Sequence, residues 1–273
     1  MFLIYSCIFH NIEYIKLIRI LISSYKLYSD TKNIKYLIIT NSDFKSKIQD
    51  IYDNLNIDGL IWEQEYITKF DACCSRLNIF NYPNINVYKK ILYLDCDIII
   101  TGNIKKIFNL EIENYLYALY EECHRYRHCQ IFSDQEFINF NKKKTFTSAI
   151  LLFNNSIIIE KLFFQIIEKI NIHLDFYKYE PLFQQTKEVP FNKGSRSLFG
   201  DQPFIIYEAY KNNLINNTML IDKAVNHPNQ ESWNNYNNEI LIHFPCGPGN
   251  YEEKSKRMFN FMFKMLTKDR RIC

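Results

Sequence analysis

Glycine and proline are scarce in this sequence, which has six of one and seven of the other among 273 residues. That excludes a collagen-like or low-complexity chain, since both contain far more of these residues. No apolar run is long enough to span a membrane, and no charged start followed by a long apolar stretch resembles a signal peptide. The hydrophobic fraction of 47% instead predicts a globular chain, and we expect one domain over residues 1–273.

A concentrated block of basic residues is also missing, because 33 basic and 30 acidic residues are spread along the chain. The net charge of +3 therefore predicts no nucleic-acid partner. The eight cysteines form no CxxC pair, and reduced thiols in a cytoplasmic compartment fit them best. Residues 123–129 hold two cysteines and two histidines, but their spacing is unlike that of tetrahedral zinc modules, which argues against a structural zinc there.

Strand and helix patterns alternate along the first hundred residues. Apolar runs predict strands, with helical patterns between them, at residues 2–8, 34–40, 59–62 and 91–100. That alternation is typical of an α/β fold with a mostly parallel sheet and helices on both faces. The second half predicts strands at 115–120, 146–153 and 239–243, helices at 157–170, from 200 and from 252, and a long loop over 171–199.

The most informative stretch is residues 91–100, an isoleucine-rich run interrupted by Asp95 and Asp97. If the run is one strand, alternate residues point to the same side and the two carboxylates lie together. Two buried like charges are costly unless a cation joins them, and a hard divalent ion with oxygen ligands fits. The alternative is a strand that ends at Leu94, with both aspartates in a solvated turn.

Four spaced features, in order along the chain, resemble one family, the family 8 glycosyltransferases of the glycogenin and bacterial galactosyltransferase type. They are residues 93–104 (YLDCDIIITGNI), Lys69 with Arg76 in the preceding helix, residues 146–154 (FTSAILLFN), and residues 200–202 (GDQ) followed by His243 and Phe244. The resemblance implies a GT-A fold, which is Rossmann-like. It also implies a UDP-sugar donor, a Mn²⁺ (or Mg²⁺) cofactor, and transfer of a hexose-type sugar with retention of anomeric configuration to an unknown glycan, protein or lipid.

The resemblance also implies roles for particular residues. Asp95, Asp97 and His243 would bind the metal, a ligand set that suits Mn²⁺. Asp201 and Gln202 would be catalytic and face the transferred sugar and the acceptor, although Asp201 also reads as an ordinary helix cap. Lys254 would replace a phosphate-binding lysine, with a plain surface lysine as the alternative. The full set of implied donor-binding residues is Tyr5, Ser6, Tyr14, Lys69, Arg76, Asp95, Ser148, Gly247 and Lys254.

Two departures from the family pattern leave other functions open. The family's Asn-x-Gly reads here as residues 147–149 (TSA), and its Gly-x-x-Lys-Pro-Trp is replaced by residues 247–254 (GPGNYEEK). A catalytically degenerate protein that still binds a nucleotide sugar is one alternative. A metal-dependent nucleotidyl- or phosphohydrolase is another, but it needs more carboxylates than the poorly placed Glu121, Glu122 and Asp134. A homodimer is also left open.

Overall fold

The structure, a computed structural model, describes residues 1–66, 68–177, 200–226, 239–245 and 251–269. The elements of the first part are β1 (Phe2–Ile8), α1 (Glu13–Tyr28), β2 (Ile34–Thr40), α2 (Ser42–Leu55), β3 (Gly59–Glu63), α3 (Lys69–Cys74), β4 (Lys90–Leu94) and β5 (Ile98–Ile100). Short 3₁₀ turns cover Ser75–Asn81, Ile85–Val87 and Lys142–Lys144.

The elements of the second part complete two sheets and two long helices. They are α4 (Lys105–Phe108), β6 (Leu116–Tyr120), α5 (Arg125–His128), α6 (Asp134–Asn139), β7 (Phe146–Asn154), α7 (Ile157–Tyr177), α8 (Gln202–Lys211), β8 (Ile215–Asn216), β9 (Ala224–Asn226), β10 (Leu241–His243) and α9 (Tyr251–Asp269). Among the described residues, every helix is too short or too polar to cross a bilayer.

A seven-stranded sheet in the order β3-β2-β1-β4-β7-β6-β8 forms the centre of the fold. The first four of these strands are parallel, and β7 runs antiparallel to both of its neighbours. The predicted α/β class with a mostly parallel sheet is therefore confirmed. β1, β2 and β4 all end at the same edge, where sheets of this kind bind ligands.

The apolar runs of β1 and β4 are explained by burial on both faces of this sheet. Alternate residues of each strand join different clusters, since Ile4 and Leu92 belong to one core and Leu3 and Ile91 to the other. All four side chains are completely buried. A strand covered by helices on both sides has no solvent face, so its sequence shows a continuous apolar run rather than an alternating one.

Residues 91–100 do not form the single strand that we predicted. β4 ends at Leu94, residues 95–97 turn, and β5 starts at Ile98 in a different sheet. The same-side argument for the two aspartates is therefore wrong in its mechanism. The alternative is half right, because the strand does end at Leu94, but Asp97 lies in a turn that is buried rather than solvated.

The second sheet has three strands in the order β5-β10-β9. β5 pairs antiparallel with β10, and β10 pairs parallel with β9. α9 packs against α1, with Met258 and Phe261 buried in the same core as the isoleucines of β5. β5 continues the chain beyond Leu94, and its pairing with β10 brings His243 from the second half of the chain to the edge where β4 ends.

Two other predictions about local structure need correction. The loop expected over residues 171–199 is wrong for its first part, because α7 continues to Tyr177 with His173 packed edge-on against Phe204. Residues 178–199 lie outside the described part of the chain. The polar segment 121–144, for which no elements were predicted, contains α5 and α6, and the second of these begins with a capping box between Ser133 and Glu136.

Candidate active site

Three side chains from two distant parts of the chain meet at the carboxyl edge of β4. Asp95 and Asp97 flank the turn after that strand, and His243 ends β10. Each can offer one ligand atom, and these atoms lie within 4.8 Å of one another. The three-stranded sheet explains why these side chains lie together. His243 pairs in register with Ile98. The Phe244 backbone N–H also donates to the Asp97 carbonyl at 2.9 Å. The structure thus brings together the three predicted metal ligands.

Asp97 is the more enclosed of the two carboxylates and is 8% exposed. Its Oδ2 accepts a hydrogen bond of 2.7 Å from Lys254 Nζ, which is also buried. Its Oδ1 lies 3.4 Å from His243 Nε2 and has no hydrogen-bond partner in the described part of the chain. Burial by itself would raise the pKa of this carboxyl, but His243 and Lys254 outweigh that effect and lower the pKa. Asp97 is therefore an anion at neutral pH.

The residues present fit a divalent cation. A buried carboxylate oxygen without a hydrogen-bond donor is costly, and a metal ion beside it removes that cost. The donor set of two carboxylates and one imidazole suits Mn²⁺ better than Ca²⁺, which prefers oxygen ligands throughout. Asp95 remains partly exposed, so the cluster is open on the side from which a ligand would approach.

Arg76 links this cluster to a second cluster, which is formed by Ser148, Asp201 and Gln202. The guanidinium is 9% exposed and stacks over the Tyr93 ring, with Cζ 4.6 Å from the ring centre. Its Nη1 donates to the Ser148 carbonyl at 2.8 Å and to Asp95 Oδ1 at 3.3 Å. Its Nε lies 2.9 Å from Asp201 Oδ2, an ion pair whose angle does not allow a hydrogen bond. One arginine thus contacts a carboxylate on each side of the site.

Asp201 and Gln202 reach the site at the start of α8. Gly200 precedes them with φ +63°, a left-handed conformation that glycine adopts without strain. Asp201 is 1% exposed, and burial raises its pKa to about 6 although Arg76 opposes the rise. Gln202 Oε1 accepts from the backbone N–H and the hydroxyl of Ser148, at 3.0 and 3.1 Å. Among the described residues, Gln202 Nε2 is buried without a hydrogen-bond partner, so it is available to a ligand.

Tyr5, Ser6 and Tyr14 are implied donor-binding residues that take different positions relative to the end of the first strand. Tyr5 and Ser6 lie in the middle of β1 and are completely buried, and Tyr14 lies in the first turn of α1. The Tyr5 hydroxyl donates to the Arg76 carbonyl at 2.9 Å, and the Ser6 hydroxyl to the Leu94 carbonyl at 2.7 Å. Both side chains thus hold the backbone of site residues in place, and a donor contact for any of the three stays a prediction.

Two other predicted donor-binding groups cannot be placed against the site. Gly247 and the side chain of Lys69, the first residue of α3, lie outside the described part of the structure. In the segment 123–129, the Cys123 and Cys129 sulfurs lie 3.9 Å apart. His128 is completely buried and uses both ring nitrogens, one beside Glu121 and one accepting from the His124 backbone N–H.

Sequence reasoning missed two side chains of the site. The Tyr93 hydroxyl donates a short hydrogen bond to Asp95 Oδ1, and this tyrosine was visible as part of the family's motif. Asn226, at the end of β9, contacts His243 Nδ1 through its Oδ1 at 2.7 Å. No pattern around residue 226 marks it, because the strand that carries it has three residues and lies next to residues of ordinary polar composition.

Comparisons with known proteins give the same family and fold. A model of glycosyl transferase family 8 matches residues 2–182, which is more than half of the chain. No curated protein matches the sequence. Among solved structures, the chain is similar to the bifunctional glycosyltransferase WbbM in its apo structure, with 14% identity and a TM-score of 0.58. That likeness covers 97% of this chain but 51% of WbbM, so the chain spans about half the length of that protein.

Two further structures match over nearly their whole length. Mouse xyloside xylosyltransferase 1 in its apo form has 12% identity and a TM-score of 0.55, with 91% of this chain and 99% of that chain covered. The galactosyltransferase LgtC, solved in complex with donor and acceptor sugar analogs, has 14% identity and a TM-score of 0.56, with coverages of 96% and 95%. At such identities the likeness shows the fold alone, and it confirms the GT-A fold expected from the sequence.

Proposed function

The chain belongs to glycosyl transferase family 8, and we propose that it transfers a hexose-type sugar from a UDP-sugar to a glycan, protein or lipid acceptor with retention of configuration. The observation that carries this proposal is the cluster of Asp95, Asp97 and His243, with the unpartnered Asp97 Oδ1 inside it. A divalent ion held there supplies a Lewis acid that stabilises negative charge on a departing diphosphate. We propose Mn²⁺, or Mg²⁺, as that ion.

Two cationic side chains are placed to bind the diphosphate beside the cluster. The Lys254 ammonium is fixed 2.7 Å from Asp97, so it lies next to the position that a phosphate oxygen would take on the metal. The Arg76 guanidinium contacts Asp95 and is planar, which suits it to bind neighbouring oxygens of a phosphate or a sugar. These contacts support Lys254 and Arg76 as donor-binding residues.

The second cluster is suited to hold the transferred sugar. Ser148 fixes Gln202 through two hydrogen bonds to Oε1, which directs the Nε2 donor group to a ligand. Asp201, paired with Arg76, can accept hydrogen bonds from sugar hydroxyls. In the reaction we propose, the acceptor oxygen bonds to the anomeric carbon on the face from which the UDP oxygen leaves. The acceptor proton then passes to the departing diphosphate.

Thermal unfolding with a panel of nucleoside-diphosphate sugars, with and without Mn²⁺, tests this proposal. A ligand at about 100 times its dissociation constant stabilises a protein by about 2.7 kcal/mol, which raises the melting temperature visibly. We expect a UDP-sugar to stabilise the wild type in the presence of Mn²⁺ and to have no effect on Asp97→Asn. Asp58→Asn is the matched control, because that carboxylate is 84% exposed and far from the site in the fold, at the start of β3.

The outcomes separate the alternatives. Stabilisation by a UDP-sugar followed by release of UDP in the presence of acceptors supports a transferase. Binding without turnover would identify a nucleotide-sugar-binding protein that keeps the fold, which the altered residues 147–149 make the main competitor. No stabilisation by any nucleotide sugar, with any metal, would overturn the proposal.

A further inference from the structure

We propose that Asn226 is a positioning residue that fixes the ring of His243 in the tautomer able to bind the metal. This inference rests on the proposed function, since it concerns the metal site of the transferase. Asn226 itself lies outside the group of Asp95, Asp97 and His243 and contacts the imidazole of His243.

The contact between the two side chains sets the position of the ring proton. Asn226 Oδ1 lies 2.7 Å from His243 Nδ1, and an amide oxygen can only accept a hydrogen bond. Nδ1 must therefore carry the proton and donate it. A neutral imidazole has one N–H, so its lone pair is then on Nε2, the nitrogen that lies 3.4 Å from Asp97 Oδ1 within the metal cluster. A metal-binding histidine needs such a partner on its other nitrogen.

The small sheet explains why the two side chains meet. His243 pairs in register with Asn226 on one side and with Ile98 on the other. Residues directly opposite each other on neighbouring strands present their side chains to the same face, about 5 Å apart. Asn226 and His243 are the last residues of their strands, and Asp97 directly precedes Ile98. The three-stranded sheet therefore places Asn226 beside His243, and it brings His243 next to the turn that carries Asp97.

The chemistry of residue 226 supports a specific role for its oxygen. Its Nδ2 is buried without a hydrogen-bond partner in the part of the chain that the structure describes. Burying a donor in this way is unfavourable, and an apolar side chain would avoid it. The amide group is nevertheless useful at this position, because its oxygen accepts the hydrogen bond from His243. An aspartate at this position keeps the acceptor and removes the unpartnered donor, whereas a leucine of similar size removes both.

Titration of MnCl₂ in the presence of UDP, followed by the electron paramagnetic resonance of free Mn²⁺, tests the proposal. We expect Asn226→Asp to bind Mn²⁺ at least as tightly as the wild type, and Asn226→Leu to bind it about 10- to 100-fold more weakly, the range found when such partners are lost. Asn54→Leu, an exposed position on α2, should bind as the wild type does. The far-ultraviolet circular dichroism of each variant shows whether it is folded.

A second readout does not depend on the leucine variant. The ¹⁵N shifts of His243 in the wild type and in Asn226→Asp should show a protonated Nδ1. Unchanged Mn²⁺ affinity in folded Asn226→Leu, or a proton on Nε2 in the wild type, would overturn the role of Asn226. Asp97→Asn, measured alongside, keeps the two proposals distinct. If it also binds Mn²⁺ as the wild type does, the metal site itself is wrong.

Discussion

Asp97 and Asp201 are both buried aspartates beside a basic side chain, yet their pKa values move in opposite directions. The pKa of Asp97 is lowered, whereas the pKa of Asp201 is raised from 3.8 to about 6. Lys254 donates a well-formed hydrogen bond of 2.7 Å to Asp97. Arg76 lies as close to Asp201 but not at a hydrogen-bonding angle, and it is shared with Asp95 and the Ser148 carbonyl.

The difference shows how neighbouring contacts give two like residues opposite pKa shifts. The anion of Asp97 is stabilised at any pH near neutrality, as a permanent metal ligand requires. Burial raises the pKa of Asp201 by more than Arg76 lowers it, and the negative charge of Asp95 raises it further. Its proton is therefore exchanged close to physiological pH, which suits a group that contacts a sugar or an acceptor hydroxyl.

Replacing Arg76 should have the largest effect on this contrast. Arg76→Met leaves the buried Asp201 and the neighbouring Asp95 without their shared cation, and breaking a buried pair in this way costs about 3–5 kcal/mol. We expect the free energy of unfolding, measured in urea, to fall by that amount at pH 7. Asp201→Asn in the same background should restore part of the loss, because it removes the uncompensated charge.

Arg125→Met is the matched control for Arg76. That arginine pairs with Asp134 at the surface, where the side chains are 44% and 84% exposed, and such pairs contribute about 0–1 kcal/mol. Equal losses in the two variants would mean that Arg76 does not compensate a buried charge. The raised pKa of Asp201 would then need another explanation.

The pH dependence of stability should differ between wild type and Asp201→Asn. Because the folded pKa of about 6 is above the ordinary value of 3.8, the folded state binds the Asp201 proton more tightly than the unfolded state does. The stabilisation is complete below about pH 4 and is lost as the pH rises through 6, by about 3 kcal/mol in all. The measurement is the free energy of unfolding of both proteins between pH 4 and 8.

The effect of Asp201 is isolated by the difference between the free energies of unfolding of the two proteins at each pH. Other groups titrate in both proteins and cancel, so the stability of the wild type relative to Asp201→Asn should decrease from pH 4 to pH 7. If Asp201 must be ionised to act, sugar transfer by the wild type should also fall below about pH 6. A difference in stability that does not change with pH would show that the pKa of Asp201 is not raised.

Most strands of the large sheet could be predicted from the sequence, whereas the pairing that forms the small sheet could not, although its strand β10 was expected within residues 239–243. The strands of the large sheet are long apolar runs separated by helices, so local composition and order determine where they lie. β5, β9 and β10 have three residues each and pair across long stretches of chain, which no local pattern records. For the same reason, one apolar run over residues 91–100 was assigned to a single strand although it belongs to two sheets.

The candidate site, too, could be predicted from the sequence only in part. Asp95, Asp97 and His243 could be grouped by the resemblance to the family, and the structure brings them together. Asn226 could not be found, because its importance comes from register with His243 and not from its own neighbours in the sequence. The opposite pKa shifts of Asp97 and Asp201 could not be predicted either, since they depend on burial and on the charged side chains that the fold brings beside each carboxylate.

Replacing Lys254 should have the smallest of the three effects, and it makes Asp97 more like Asp201. Lys254→Met removes the hydrogen bond to Oδ2 but leaves His243 beside Oδ1, so we expect a loss of about 2 kcal/mol at pH 7, the usual contribution of a charged hydrogen bond. The pKa of Asp97 should rise in this variant. Its deficit relative to the wild type should therefore shrink once the pH falls below the pKa of Asp97 in the variant, which urea unfolding at acidic pH can measure. Lys256→Met, on the same helix in an exposed pair with Glu252, should stay within about 0.5 kcal/mol of the wild type. A deficit in Lys254→Met that is independent of pH would indicate lost packing around α9, and the low pKa of Asp97 would then not depend on Lys254.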